Sequence, residues 1–312
     1  MASGPAVPSG RLQAAASAPA PPSPPGVDVG ASTVEPADSN RSPGQRSRPK
    51  FLHLFSGPDN REDGITAYLK KVGWDGVDVD ICNADAADLS SDDLWVSLFE
   101  RIRAGEFDFV WMGTPCTTFS KARFRKPGPR PLRSMSHLYG LPRRELNDRE
   151  ATQVAEGNFF AIKSAEMASL CMEHSVGWAI ENPRPDPAFP SLFWLAEFQA
   201  LAASAGVRHV EFDQCMYDAE TSKPTRVLFW GVDFSSIRAS CNHPKQWWEY
   251  RDFSNKQRSI FSAHPPLAGR TRDDGEPATR QSAAYPAKLN LEIVKRIISR
   301  GRRELPSQTS EA

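Results

Sequence analysis

The stretch FLHLFSGPDNREDGITAYLKKVG, residues 51–73, decides the fold class. It begins with an apolar run of strand-forming residues and turns at Gly57. It then continues in a segment with helical spacing that ends at Gly73. A strand, a turn and a helix in this order form the repeating unit of a mostly parallel sheet.

The same alternation continues along the chain. Strand-like runs occur at 74–81, 107–113, 176–180, 207–212 and 226–232, and helix-like segments at 91–105, 151–173, 191–205 and 289–298. This pattern predicts an α/β fold with a doubly wound, mostly parallel sheet and helices on both faces.

The two ends of the sequence have a different composition from the middle. Residues 1–49 hold ten of the 27 prolines and no aromatic residue, which predicts a disordered Pro/Ala-rich tail. A second disordered tail is expected at 301–312. Between the tails we expect a core at 50–234, a small irregular insertion at 235–281 and a helix at 282–300 that returns to the core.

Composition narrows the setting in which the protein works. No apolar run approaches the ~20 residues that span a bilayer, so no membrane association is expected. The first forty residues contain one arginine and no apolar stripe, which disfavours organellar targeting. Five irregularly spaced cysteines indicate a reducing, intracellular compartment, the nucleus included. Nothing indicates an obligate protein partner.

Charge is balanced overall but not locally. The chain has 38 basic and 38 acidic residues, whereas the segment from Lys121 to Arg149 has nine basic residues against two acidic ones. Such a segment is either a solvated loop or a surface that attracts a polyanion.

Polar and reactive residues follow several predicted strands, where ligands bind in doubly wound sheets. Asp80 could hold ribose hydroxyls or cap a turn. Cys116, after Pro115 and before the basic segment, could be a nucleophile or an inert buried thiol. Glu181 could be a partly desolvated acid or could cap a turn.

The order of these motifs resembles the cytosine-carbon-5 DNA methyltransferases, which use S-adenosylmethionine. LFSG (54–57) is similar to the opening of their cofactor motif, GTPCTTFS (113–120) to their Pro-Cys motif and ENP (181–183) to their Glu-Asn motif. The stretches at 213–232 and 282–297 resemble the two later motifs. The resemblance implies a Rossmann-like sheet of the class I methyltransferase type in a divergent member of the family.

The resemblance also implies residue roles. The thiolate of Cys116 would attack carbon 6 of cytosine, protonated Glu181 would contact ring nitrogen 3, and Arg226 would hold the base or backbone. S-adenosylmethionine would contact Phe55, Ser56, Gly57, Asp80, Asp85, Pro115 and Tyr285. DNA, with RNA left open, would contact Ser120, Lys121, Arg123, Arg125 and Lys126.

Departures from the family pattern keep alternatives open. The first turn has PDNRED where the family has closely spaced glycines, and the segment between Arg226 and Tyr285 is short for target recognition. A catalytically silent nucleic-acid-binding module, such as a domain of a mobile-element polyprotein, is the alternative function. A methyltransferase with another substrate is a third.

A metal site is not predicted. Cys241-x-His243 and the distant His264 offer only three ligands, at a spacing that fits no standard zinc finger. Cys82, Cys171 and Cys215 lie in or beside apolar elements and are expected to be structural.

Overall fold

A computed structural model describes residues 48–58, 60–83, 88–126, 128–282 and 284–300. The two tails expected at 1–49 and 301–312 lie outside these ranges, apart from positions 48 and 49. Among the described helices, none combines the length and the apolarity that a bilayer span requires.

Six strands form the central sheet. They are β1 (Lys50–Leu54), β2 (Asp75–Val79), β3 (Phe109–Met112), β4 (Gly177–Pro183), β5 (Arg208–Asp213) and β6 (Pro224–Trp230). Their order is β2-β1-β3-β4-β6-β5. The first four pair in parallel, while β6 is antiparallel to both neighbours. The predicted α/β fold with a mostly parallel sheet is confirmed.

Helices cover both faces of this sheet. They are α1 (Ile65–Lys71), α2 (Asp92–Arg103), α3 (Asp148–Glu173), α4 (Ala196–Ala203), α5 (Ala278–Gln281) and α6 (Ala287–Arg300). Helices α2, α3 and α4 pack in one buried apolar cluster, and α1 and α6 pack in the other. Leu52 and Leu54 of β1 face the first cluster and Phe51 faces the second, as the strand period of two requires.

Local side-chain contacts set two helix boundaries. Helix α3 begins at Asp148 because Asn147 and Glu150 cap each other's backbone amides at 2.9 and 3.0 Å. The helix predicted over 191–205 divides into a 3₁₀ turn at Leu192–Trp194 and the shorter α4.

The insertion expected to be irregular is a second, antiparallel sheet, so that prediction is wrong. It consists of β7 (Gln246–Asp252), β8 (Gln257–Ser262) and β9 (Arg270–Thr271), in the order β8-β7-β9. Buried Asp252 shapes the β7–β8 turn by accepting the amides of Ser254 and Lys256 at 2.8 and 3.0 Å. The strands were missed because most of their side chains are exposed, which leaves little apolar alternation to read.

A buried polar cluster joins β1, α1 and β2. His53 Nδ1 lies 3.1 Å from Thr66 Oγ1 and 3.4 Å from Asp78 Oδ1, and Thr66 also donates to Asp78. Burial by itself would raise the pKa of Asp78, but the hydrogen bonds and charge of His53 and the Thr66 hydroxyl outweigh it, so the pKa is lowered. The ionised carboxylate is therefore the stabilising form.

We expect Asp78→Asn to lower the free energy of unfolding by about 1–3 kcal/mol at neutral pH, because it weakens a buried hydrogen-bond network. The folded-state pKa lies below the unfolded value of about 3.9, so this contribution is present above that pH and is lost as pH falls through the folded pKa. Urea denaturation of both proteins along a pH series should therefore show the difference shrinking on acidification.

Asp75→Asn on the same strand is the matched control. Asp75 is exposed, and its ion pair with exposed Arg48, at 3.9 Å, should contribute little to stability. A difference that stays constant below pH about 3 would contradict the assignment of the ionised form.

Candidate active site

Strand order locates the binding cleft. The chain passes from β1 to β2 on one side of β1 and then returns to β3 on its other side. The strand order therefore reverses between β1 and β3, and ligands of open α/β sheets bind outside the carboxyl ends of the strands at such a point. The segments after β1 and β3 begin at Phe55 and Gly113.

The turn after β1 is held by Asp80. One carboxylate oxygen accepts the amide of Gly57 at 2.9 Å, and the other accepts the amide of Cys82 at 2.9 Å. Both amides are backbone groups, so Asp80 caps the turn, and each oxygen retains capacity for one more donor. The predicted cofactor residue Asp85 lies outside the described residues.

Phe55 combines backbone strain with aromatic packing. Its φ is +56°, a left-handed conformation that is uncommon outside glycine. Its ring packs on Phe160 and Trp95, with centroids 5.3 and 6.3 Å away. Next to it, the Ser56 hydroxyl donates to the carbonyl of Gly57 at 3.0 Å. No described atom lies within 4 Å of where a Cβ on Gly57 would point, so the turn is open on that side.

The loop that carries Cys116 lies against both β1 and β4. A Cβ on Gly113 would lie 3.2 Å from the Phe55 carbonyl oxygen and 3.3 Å from the Tyr285 hydroxyl, so glycine permits this close approach. The side-chain amide of Asn182 donates to the Thr114 carbonyl at 2.7 Å. Pro115 and Cys116 follow directly and are thereby held beside β4.

Glu181 is buried within β4 rather than emerging from its end. Its relative exposure is 7%, and its Oε2 accepts the Tyr285 hydroxyl at 2.9 Å. Its Oε1 is buried and has no hydrogen-bond partner among the described residues. Such an atom is costly unless a ligand or water supplies the missing contact.

Neighbouring charged groups affect the pKa values of Cys116 and Tyr285. Burial raises the pKa of the Cys116 thiol, the positive charge of Lys223 opposes this, and the negative charge of Glu181 adds to it. Burial raises the pKa of Tyr285, and the negative charges of Glu181 and Cys116 raise it further. The Tyr285 hydroxyl therefore lies beside both the Glu181 carboxyl group and the backbone of the loop that carries Cys116.

Lys223 is a site residue that sequence analysis missed. Its Nζ donates to the Ser282 carbonyl at 2.5 Å and lies 5.6 Å from the centroid of the Tyr285 ring. Its φ is +33°, a strained conformation for a residue that precedes a proline. The only signal in the sequence was a lysine three residues before the strand predicted at 226–232.

The C-terminal segment packs over the first turn. Arg61 Nη2 donates to the Tyr285 carbonyl at 3.1 Å, and the Asn290 amide donates to the Asp63 carbonyl at 2.8 Å. Tyr285 was predicted to contact a cofactor. In the structure its hydroxyl donates to Glu181 and lies close to Gly113, at the start of the loop that carries Cys116.

Arg226 is not brought together with Glu181. In the β4–β6 pairing it lies opposite Asn182, whereas Glu181 lies opposite Val227, so the two side chains occupy opposite faces of the sheet. Its guanidinium donates to Glu211 at 2.9 and 2.5 Å and lies over the Phe193 ring.

The predicted nucleic-acid residues divide into two groups. Ser120 accepts the Ala122 amide at 3.2 Å, Lys121 lies 3.8 Å from Asp186, and Arg123 donates to two carbonyls and to Gln153. These three hold the loop together. Arg125 and Lys126 are exposed, and neither side chain forms a hydrogen bond or an ion pair with another described residue.

Arg133, a second residue to which the sequence analysis gave no role, holds the loop after Cys116 by buried hydrogen bonds. It is 1% exposed and donates to Thr118 Oγ1 at 3.0 and 2.8 Å, Asn158 Oδ1 at 2.7 Å and the Leu138 carbonyl at 2.8 Å. Its guanidinium lies 3.7 Å from the Phe119 ring centroid. Gly157 in α3 leaves room, because a Cβ there would lie 2.9 Å from Arg133 Nη2. Burial and the charge of Arg123 lower the pKa of Arg133 to about 10.

The comparisons with known proteins identify no family. No protein-family model matches the sequence, and no curated protein matches it either. One match among solved structures is a proposed DNA modification methyltransferase encoded within a prophage (E. coli), with 14% identity and a TM-score of 0.29. The aligned region covers 58% of this chain and about half, 46%, of that chain. This weak likeness supports no inference about the fold or the activity.

We expect Arg133→Met to lower the free energy of unfolding by about 2–4 kcal/mol, because it leaves several buried polar groups without their donor. Arg133→Lys should not restore the loss, since an ammonium cannot replace the planar fork. Urea denaturation measures both. Arg125→Met is the matched control, and a loss equal to that of the control would show that the buried contacts do not stabilise the loop.

We expect the alkylation rate of Cys116 to respond to its neighbours in opposite directions. Glu181→Gln removes a charge that raises the thiol pKa, so it should speed reaction with iodoacetamide at about pH 8, below the usual cysteine pKa of about 8.5. Lys223→Met should slow the reaction, and Lys223→Arg should preserve the rate.

Peptide-resolved mass spectrometry separates Cys116 from the other four thiols. The exposed thiol of Cys82 is the internal control and should keep its rate in every variant. Equal rates at Cys116 in all variants would show that the three groups do not share a pocket.

Proposed function

We propose that the protein transfers a methyl group from S-adenosylmethionine to carbon 5 of cytosine in DNA, through a covalent adduct on Cys116. One observation carries this proposal. The Asn182 side chain holds the loop of Cys116 against β4, and the neighbouring residue Glu181 is a buried carboxyl group whose Oε1 has no hydrogen-bond partner among the described residues. A thiol and a carboxyl group in one pocket suit opposite edges of a pyrimidine ring.

The sheet supports this proposal. Its parallel strands with one antiparallel strand, β6, inserted between β4 and β5 suit a Rossmann-like sheet of the class I methyltransferase type. The candidate nucleophile and acid follow or occupy β3 and β4, at the carboxyl edge where ligands bind.

The cofactor would bind at the turn after β1. Asp80 has acceptor capacity left for ribose hydroxyls, Phe55 offers a half-buried aromatic ring, and Gly57 leaves its side of the turn open. These groups at the strand-order reversal fit a nucleoside. Ser56 and Pro115 belong to the same two segments. S-adenosylmethionine, when bound, supplies the methyl group.

Cys116 acts as the nucleophile. Its burial favours the neutral thiol, whereas the charge of Lys223 favours the thiolate, so Lys223 stabilises the reactive form. The thiolate forms a bond to carbon 6 of cytosine, and the electrons of the carbon 5–carbon 6 double bond make carbon 5 nucleophilic. After methylation, a base such as solvent water takes the proton from carbon 5; the electrons of that bond restore the carbon 5–carbon 6 double bond, and the bond to sulfur breaks to release the thiolate.

Glu181 binds the other edge of the ring. Its Oε2 is fixed by the Tyr285 hydroxyl, which leaves Oε1 for the base. In the protonated form this carboxyl group donates to ring nitrogen 3 and takes up the charge that develops there. Arg226 lies on the opposite face of the sheet, so we assign it to holding Glu211 rather than to the base.

DNA would lie across the basic loop. A base inside a duplex is out of reach of Cys116, so it must be extruded or single-stranded. Arg125 and Lys126 are the exposed cations of this loop that can contact phosphates, and such contacts help to offset the unstacking. Ser120, Lys121 and Arg123 keep the loop in place.

We expect the protein to form a denaturation-resistant adduct with DNA that contains 5-fluorocytosine when S-adenosylmethionine is present. Fluorine cannot leave carbon 5 as the proton does, so the adduct persists. Cys116→Ser should abolish the adduct, and Glu181→Gln should slow its formation by about 10²–10⁴-fold. Denaturing gels read out both, with Cys82→Ser as the matched control.

A parallel reaction with RNA that contains 5-fluorocytosine shows whether the substrate is DNA or RNA. Calorimetry with S-adenosylmethionine alone decides cofactor binding. Cofactor binding without an adduct on either nucleic acid would overturn the cytosine chemistry. DNA binding without cofactor binding would indicate the catalytically silent module instead.

A further inference from the structure

The segment after β5 and the sheet formed by β7, β8 and β9 meet at a cluster of two cysteines and two histidines. One sulfur or nitrogen atom from each residue lies within 4.8 Å of the corresponding atom of every other, in the set Cys215, Cys241, His243 and His264. We propose that this cluster is a tetrahedral Zn²⁺ site, and the proposal does not depend on methyl transfer.

The spacing of the ligand atoms suits one ion. Zn–S bonds of about 2.3 Å and Zn–N bonds of about 2.0 Å place tetrahedral ligand atoms about 3.3–3.8 Å apart. Cys241 Sγ lies 3.3 Å from His264 Nε2 and 3.5 Å from His243 Nδ1. A set of two sulfur and two nitrogen ligands in tetrahedral geometry favours zinc among the common metals.

The tautomer of His264 suits metal binding. His264 Nδ1 lies 3.1 Å from the Glu220 carbonyl, which can only accept, so Nδ1 carries the proton and Nε2 presents a lone pair to Cys241. A cation at the centre contacts all four ligand atoms at once.

Contacts around the cluster orient its members as they do around known zinc ligands. The Glu220 carbonyl fixes the tautomer and ring direction of His264. Buried Asp213 accepts the Cys241 amide at 2.8 Å, and its own amide donates to the Ala239 carbonyl at 2.8 Å. The backbone segments that carry the ligands are therefore held in place by other contacts.

The three ligand-bearing segments explain what the ion would do. Cys215 belongs to the 3₁₀ turn at Gln214–Tyr217 after β5, Cys241 and His243 precede β7, and His264 follows β8. Zinc would therefore fasten the small sheet to the central one. It would also fix the start of the connection that leads to Lys223.

We expect the full-length protein, purified without chelator under reducing conditions, to contain about one zinc ion per chain by plasma mass spectrometry. Cys241→Ser and His264→Asn should each lower the zinc content well below one ion per chain, because three remaining ligands no longer form a closed tetrahedral site. Cys82→Ser and His137→Asn are the matched controls, since both residues are exposed and outside the cluster.

A second measurement keeps the test valid if a variant does not fold. In the unmodified protein, Cys215 and Cys241 should resist alkylation until a chelator removes the zinc, whereas Cys82 should react throughout. Replacement by Co²⁺ should give the absorption of tetrahedral cobalt with thiolate ligands. Protein that takes up no zinc under reducing conditions would overturn the proposal, as would full zinc content in Cys241→Ser or a Cys215–Cys241 disulfide in the reduced preparation.

Discussion

The hydrogen bond from the Asn182 side-chain amide to the Thr114 carbonyl, 2.7 Å long and fully buried, joins β4 to the loop that follows β3. It fixes the loop after β3 to the end of β4. Cys116 lies on that loop and Glu181 precedes Asn182 on that strand, so the hydrogen bond holds the two segments next to each other. Neighbouring residues on a strand face opposite sides, so Asn182 on one face leaves Glu181 on the other, toward Tyr285. The candidate site depends on this arrangement.

Several other contacts surround that hydrogen bond. Beneath the loop, the Arg133 guanidinium holds Thr118 and Asn158 and fills the space that Gly157 leaves. Above it, Tyr285 approaches Gly113 because glycine has no side chain to obstruct it. These contacts fix the loop that carries Cys116, and a pre-positioned loop is what the proposed role of Cys116 as a nucleophile requires.

Two charged residues, Glu181 and Lys223, have opposite effects on the pKa of the Cys116 thiol. Glu181 and burial oppose ionisation of Cys116, while Lys223 promotes it. Lys223 lies in the connection between β5 and β6, which begins at Gln214 and includes Cys215, one of the four residues of the proposed zinc site. The cluster and Lys223 are therefore joined by a short piece of backbone.

The sequence by itself determined the alternation of strands and helices, and hence the α/β class, because apolar spacing is a local property that burial imposes. It also singled out Cys116 and Glu181, since both follow or end apolar runs at the edge where ligands bind. It did not identify the small sheet, whose exposed strands have little apolar alternation.

Only the tertiary structure decided which residues share a pocket or a cluster. Arg226 lies in the predicted strand, but the register of β6 turns it away from Glu181. Arg133 and Lys223 come from loops whose positions no local pattern reports, and Cys215 joins Cys241, His243 and His264 from 26, 28 and 49 residues away in sequence. Contacts between distant segments depend on how the whole chain packs, and spacing along the sequence does not encode them.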